Sequence, residues 1–212
     1  MKKVTLALSL MLACITAFAQ QTEFSEENGA EKGTMKEKGS TPVIYLSTST
    51  GFNNATGIVG VSFDIPVANY ISIETGMGAS TWGNKFYLGG KYYLRPAYHG
   101  LAFAFGVSRY RGDNDARRNM ETIYGNNDQV SLRLSPQTNI LLAVYRYGRL
   151  GRRGNRFFTG VGWSERISGN GWQQTQGPRL TDHSVDQVNS WNPGGPMLCA
   201  GFSFGFYRSA RQ

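Results

Sequence analysis

The stretch Leu198-Cys-Ala-Gly-Phe-Ser-Phe-Gly-Phe206 near the end of the chain alternates bulky apolar residues with very small ones. A β-strand sends successive side chains to opposite faces, so Leu198, Ala200, Phe202, Phe204 and Phe206 share one face and Cys199, Gly201, Ser203 and Gly205 the other. One face of such a strand is a continuous greasy band and the other is nearly bare. That pattern constrains the fold more than any other feature of the sequence.

The opposite end of the chain reads as an export signal. Lys2 and Lys3 form a basic start, Val4 to Ala13 an apolar run, and Ala17-Phe18-Ala19 a small-residue cleavage site, so residues 1–19 are expected to be a signal peptide. A second reading makes Met11-Leu-Ala-Cys14 a lipoprotein box with Cys14 lipidated, although Met stands where Leu is usual. The apolar run is shorter than the roughly 20 residues that a transmembrane helix needs, and no longer run follows. Residues 20–40 are rich in Glu, Lys and Gly and poor in apolar residues. They are expected to form a flexible periplasmic leader, because they bury too little surface to offset ordering entropy. With cleavage after Ala19, Cys199 is the one cysteine left, which rules out an intramolecular disulfide.

From Thr41 onward the pattern predicts eight strands: Val43–Thr50, Ile58–Ile65, Tyr70–Ala79, Lys85–Leu94, Leu101–Tyr110, a sixth from Val130 to Tyr147 interrupted near Pro136, Arg156–Ile167 and Leu198–Phe206. In the second, Val59, Val61, Phe63 and Ile65 oppose Gly60, Ser62 and Asp64; in the fifth, Leu101, Phe103, Phe105 and Val107 oppose Ala102, Ala104, Gly106 and Ser108. Proline cannot donate to a ladder, so Pro136 is expected to mark a bulge or the upper rim. The connections sort by parity. Pro66–Asn69, Pro96–Gly100 and Gly148–Asn155 are compact turns, whereas Gly51–Thr56, Ser80–Asn84, Gly112–Gln129 and Ser168–Pro196 alternate with them and include both very long segments. Short periplasmic turns, longer outer loops and an even strand count are the pattern of a transmembrane barrel. The predicted fold class is therefore all-β: an eight-stranded antiparallel up-and-down transmembrane β-barrel over residues 41–212, preceded by the signal peptide and flexible leader.

Alternation alone also permits a soluble lipocalin-like binding protein, which would be greasy inside. Charge argues for the membrane form. Asp64, Glu74, Lys91, Arg133 and Arg166 fall on the same faces as Gly, Ser and Ala, and are expected to pair within a polar packed lumen. Aromatics gather towards strand ends (Phe52, Tyr70, Tyr92, Tyr98, Tyr145, Tyr147, Phe206, Tyr207), as interfacial girdles would. The strand plan, the Leu198–Phe206 ending and the segments Asp64-Ile-Pro-Val-Ala-Asn-Tyr-Ile-Ser-Ile-Glu-Thr-Gly76 and Lys91-Tyr-Tyr-Leu-Arg-Pro96 resemble the small bacterial "porin family" outer-membrane β-barrel proteins. The resemblance covers roughly Thr41 to Phe206; Tyr207 to Gln212 runs beyond the aromatic residue on which such barrels usually end. It implies a barrel in the cell outer membrane, with outer-membrane lipids and the barrel assembly machinery as partners, and carries over no functional residue.

Candidate chemistry is sparse. A lipid A-modifying enzyme of the Ser-hydrolase kind would need a histidine held by a third group and a hydroxyl within its reach. His99 lies in a periplasmic turn, and His183 lies mid-loop beside Ser184, Asp182 and Asp186. Arg111-Gly112-Asp113 spells the integrin-binding tripeptide at the start of the third loop. The segment Arg146-Tyr-Gly-Arg149-Leu-Gly-Arg152-Arg153-Gly-Asn-Arg156 is the densest cluster of charge. An exported barrel has little access to nucleic acid, so the cluster is expected to face anionic phospholipid headgroups. No motif indicates a cofactor, a metal site or a catalytic residue. The expected protein is a small non-enzymatic barrel with no large pore. Any binding, adhesion or envelope role would be carried by loops 112–129 and 168–196, where Trp172 and Trp191 are candidate contacts to an extracellular ligand or envelope complex.

Overall fold

Strand alternation becomes a wall with two unlike sides. The computed structural model describes residues 42–95, 100–150 and 154–207. In chain order the strands are β1 (Ile44–Phe52), β2 (Val59–Ala68), β3 (Ile71–Ser80), β4 (Gly83–Tyr93), β5 (Gly100–Tyr110), β6 (Asp113–Glu121), β7 (Asn127–Leu134), β8 (Gln137–Leu150), β9 (Asn155–Ser168), β10 (Trp172–Gln176) and β11 (Gly195–Phe206), with a helix α1 (Asp182–Ser190) before the last. Eight of them close into an antiparallel barrel in the order β1-β11-β9-β8-β5-β4-β3-β2. β1 and β11 seal it, pairing Ile44 with Phe206 at one end and Phe52 with Leu198 at the other.

The outer side of the wall is apolar and exposed: Val59 at 62%, Leu88 at 61%, Phe105 at 57% and Phe202 at 51%, with Ile73, Met77, Phe86 and Leu142 beside them. The inner side carries Tyr45, Tyr87, Tyr93, Tyr145 and Tyr147 with buried Ser, Asp, Glu, Lys and Arg. A lipocalin has the reverse arrangement. Tyr145 and Tyr147, expected among the interfacial aromatics, belong to this lumen, because β8 turns its odd-numbered residues inward. Tyr70 and Tyr92 do stand on the outside, stacked at 6.3 Å.

The connections divide as the sequence indicates, but the two long ones are folded. The predicted sixth strand is in fact two, since β7 ends at Leu134 and β8 begins at Gln137, on either side of Pro136. β7 has left the barrel and forms the centre of a separate sheet, ordered β10-β7-β6. α1 lies against that sheet, and Ala116, Met120, Val130, Leu132, Leu134, Leu180 and Val188 make a buried core with Trp82 and Tyr110 of the barrel rim. Thr181 caps the helix, its hydroxyl accepting from the Ser184 N–H at 3.2 Å. The end of the barrel opposite Ile44 and Phe206 therefore bears a small sheet-and-helix cap. Among the described residues no helix is long and apolar enough to cross a membrane, which says nothing of strands. The predicted signal peptide, Cys14, the leader, Tyr98, His99, Arg152 and Arg153 lie outside the described residues.

Candidate functional site

The lumen is built by inward-facing positions of neighbouring strands. Asp64 of β2 sits opposite Glu74 of β3, and Lys91 of β4 is paired with Ser72 one step away. Lys91 Nζ lies 2.9 Å from Glu74 Oε1 and 3.8 Å from Asp64 Oδ2, and donates to Tyr147 Oη at 2.8 Å. On the far side Arg156 Nη2 donates to the same Asp64 Oδ2, which also accepts from Tyr93 Oη at 2.6 Å. The Arg156 guanidinium is 3.7 Å from the centre of the Tyr45 ring and 4.2 Å from that of Tyr147. Ser62 donates to Glu74 Oε1 at 2.8 Å. Two carboxylates, two cations and a ring of tyrosines thus fill the lumen at this level.

Nearer the cap the filling changes. The β1–β2 connection turns inward, with Asn54, Ala55 and Thr56 each about as buried as the strand core. It rests on a face from which side chains are missing: a Cβ on Gly60 would come within 2.5 Å of Thr56 Cβ, and one on Gly78 would collide with the Thr56 carbonyl. Lys85 Nζ donates to Asn54 O at 2.7 Å and lies 4.5 Å from the Tyr110 ring centre. Among the described residues no carboxylate stands within ion-pair distance of it. Sequence reading missed both this inward loop and Lys85, although Lys85 shares the lumen face with Tyr87 and Lys91.

Arg133 and Arg166 do not join the lumen, contrary to expectation. Arg133 is exposed on the outer face of the cap sheet, opposite Gln173, because β7 has already left the barrel. Arg166 has the inward parity, opposite Asn139, but is exposed at the mouth, above the level at which the lumen is filled. Arg156, which the sequence places in the basic turn, is the buried partner of Asp64 instead.

The cap accounts for the other candidates. Ser184 is buried in α1 and its hydroxyl donates to Glu121 O at 2.9 Å, while His183 is exposed next to it, so the hydroxyl is held by the backbone of β6 rather than by the imidazole. Trp172 and Trp191, candidate surface contacts, are partly buried against the cap core, and Trp172 Nε1 donates to Asn189 Oδ1 at 3.0 Å. Ile123 at 55% and Tyr124 at 72%, on the β6–β7 hairpin tip, are large hydrophobic side chains that the cap leaves exposed. Gly112, at φ +76°, turns the chain from β5 into β6, and Asp113 Oδ1 accepts from the Asp115 N–H at 3.0 Å, a turn role for the integrin-type tripeptide. The Ser131 hydroxyl, with Arg117 alongside, holds the Asp115 carboxyl below the usual carboxylate range. A crevice of about 70 Å³ at the rim is lined by Phe52, Ile58, Tyr110, Trp191 and Pro193 among others. Among the described residues no group of three or more His, Cys, Asp or Glu could share a metal ion.

No family model matches the chain, and no curated protein matches it in sequence. Among solved structures it is similar to the crystal structure of Acinetobacter baumannii CarO, at 13% identity and a TM-score of 0.45, covering 78% of this chain and 98% of that one.

Proposed function

We propose that the chain is a small bacterial outer-membrane barrel of the porin-family kind, with no large pore and no catalytic role, whose folded cap is its outward binding or structural surface. The observation that supports this reading is the polarity of the wall, with large apolar side chains exposed around the outside and tyrosines and paired charges within. Soluble monomers rarely expose a continuous apolar surface of more than a few hundred Å². In lipid the same surface is the solvated one, and closure leaves no unpaired strand edge. The short turns and termini are then periplasmic and the cap faces outward. Outer-membrane lipids and the barrel assembly machinery are its partners on this reading, and the cap, with the Ile123–Tyr124 tip at its edge, is where a ligand or envelope complex would meet it.

An intact barrel extracted in detergent should migrate anomalously on unheated gels and shift on boiling. Solubility without detergent, with full β content, would favour a lipocalin-like protein. Lipid A from cells carrying the protein should show no mass change; a change abolished by His183→Ala would restore the enzyme alternative.

A further inference from the structure

We propose that the outer wall, at its edge beneath the cap, holds a binding site for a phosphorylated outer-leaflet lipid, with Arg109 and Arg111 donating to the phosphate. The site rests on the membrane reading above and names the lipid chemistry that meets the wall at this edge.

β5 supplies both arginines from one face. Its outward residues run Leu101, Phe103, Phe105, Val107 and then Arg109, while Ala102, Ala104, Gly106, Ser108 and Tyr110 turn inward. The ladder continues one step past the end of the strand, where the Arg111 N–H donates to Asn84 O at 2.9 Å. Paired residues share a face, so Arg111 keeps the outward parity of Asn84 and Arg109 before Gly112, at φ +76°, turns the chain into β6. Both arginines are exposed. Alternate residues of a strand stand about 7 Å apart, close enough for two arginine stems to converge on one phosphate.

Their surroundings are apolar on one side and free of negative charge. Arg109 is register-paired with Phe86 of β4 and Thr138 of β8, and one step further from the cap Val107 stands between Leu88 and Ile140. The outward faces of β3, β4, β5 and β8 carry no Asp or Glu. Arg109 Nη1 donates to Thr138 Oγ1 at 3.5 Å, a neutral partner, and among the described residues no carboxylate stands within ion-pair distance of either arginine. Asp113 accepts from the Asp115 N–H instead, and Glu165, on the outward face of β9, accepts from Trp163 Nε1 at 2.9 Å. Two guanidinium groups without a counter-ion, set where an apolar wall ends, match the two halves of a phosphorylated lipid. Acyl chains lie along Leu88, Phe105 and Val107, and the phosphate meets planar donors that bind it in pairs. Arg111, the first residue of the integrin-type tripeptide, is on this account a lipid contact.

The test uses the full chain in detergent, equilibrated with equimolar lipid A carrying its phosphates and the same lipid A with the phosphates removed, with retained lipid read by native mass spectrometry. Wild type should retain the phosphorylated form preferentially. Arg109→Gln/Arg111→Gln should lower that preference roughly thirty-fold, as the loss of two basic residues beside an anionic headgroup would. Arg117→Gln/Arg133→Gln removes the same charge from the cap sheet and should leave the preference intact. Equal retention of the two lipids by wild type, or an equal loss in the cap-sheet variant, would overturn the proposal. Displacement of the lipid by millimolar inorganic phosphate at constant ionic strength would overturn the lipid assignment in favour of free phosphate. Should Arg109→Gln/Arg111→Gln lose the heat-dependent gel shift, wild type alone decides. Its preference should fall between about 0.05 and about 0.5 M salt, and a salt-independent preference would count against a charged site. A heat-shifting barrel without lipid preference removes this site and leaves the membrane reading standing; a chain soluble without detergent removes the membrane reading and this site with it.

Discussion

Replacing Lys91 with methionine keeps most of the side-chain volume and removes one charge from a closed network. Glu74 would keep the Ser62 hydroxyl at 2.8 Å but lose the ammonium group 2.9 Å away. Asp64 would keep Arg156 and the Tyr93 hydroxyl, so the damage falls on Glu74. The side chains of Lys91 and Glu74 are at most 6% exposed, which leaves water little access to replace the lost partner. Breaking a buried pair from one side costs roughly 3–5 kcal/mol, because the remaining charge is stranded. Lys91→Met should lose that much, read by equilibrium urea unfolding in detergent with tryptophan fluorescence. The double variant Lys91→Met/Glu74→Gln removes the stranded charge as well and should recover most of the loss, giving a coupling energy of about 2 kcal/mol or more. A single variant within about 1 kcal/mol of wild type, or a double variant no better than the single, would refute the account of the lumen as an interlocked charge network.

Other measurements probe different parts of the molecule. In planar bilayers the protein should give no large stable conductance, because side chains and the inward β1–β2 loop fill the interior; steady channel currents would contradict this. Gly78→Val forces a side chain into the Thr56 carbonyl and should destabilise the barrel by about 1–3 kcal/mol, seen as a lower temperature for the gel shift. Thr181→Ala removes the cap of α1 and should cost about 1 kcal/mol, detected as faster proteolysis of the cap while the barrel stays intact. Protease added to whole cells should leave Trp172–Gln176 uncut at doses that cleave an unstructured polar loop, since those residues are paired with β7; rapid cutting there would mean that the cap is not folded.

The barrel was legible because each of its strands carries its own alternation, and Asp64, Glu74 and Lys91 were legible as inward residues because each falls on the small-residue face of its strand, opposite the apolar one. Parity does not report height along the barrel. Arg166 has the inward parity and still stands exposed at the mouth, and Arg133 belongs to a strand that departs at Pro136. Arg156 was hidden by its neighbours, an arginine-rich turn in which one more arginine looked like another solvated charge. The cap was illegible for a different reason. β6 offers only Ala116 and Met120 to its core, α1 only Val188 with the half-buried Val185, and β10 only Trp172. None of these segments is apolar enough to stand out, and their core exists only when residues from three distant segments meet. The inward β1–β2 loop was foreshadowed by Gly60, Gly76 and Gly78, which leave one stretch of the lumen face without side chains.

The seal between β1 and β11 also sets the order in which this protein can come into being. The strands that close the wall lie at the two ends of the barrel sequence, with Ile44 facing Phe206. A chain arrested before β11 would leave β1 and β9 with unpaired edges and the apolar outer face still attached, which are the ingredients of aggregation. Its most consequential contact is also its least local, and such contacts are slow to form. Wall closure therefore cannot begin as the chain emerges residue by residue. It has to wait for the final strand, so the nascent protein must be kept extended and apart from its like until Phe206 is available to meet Ile44.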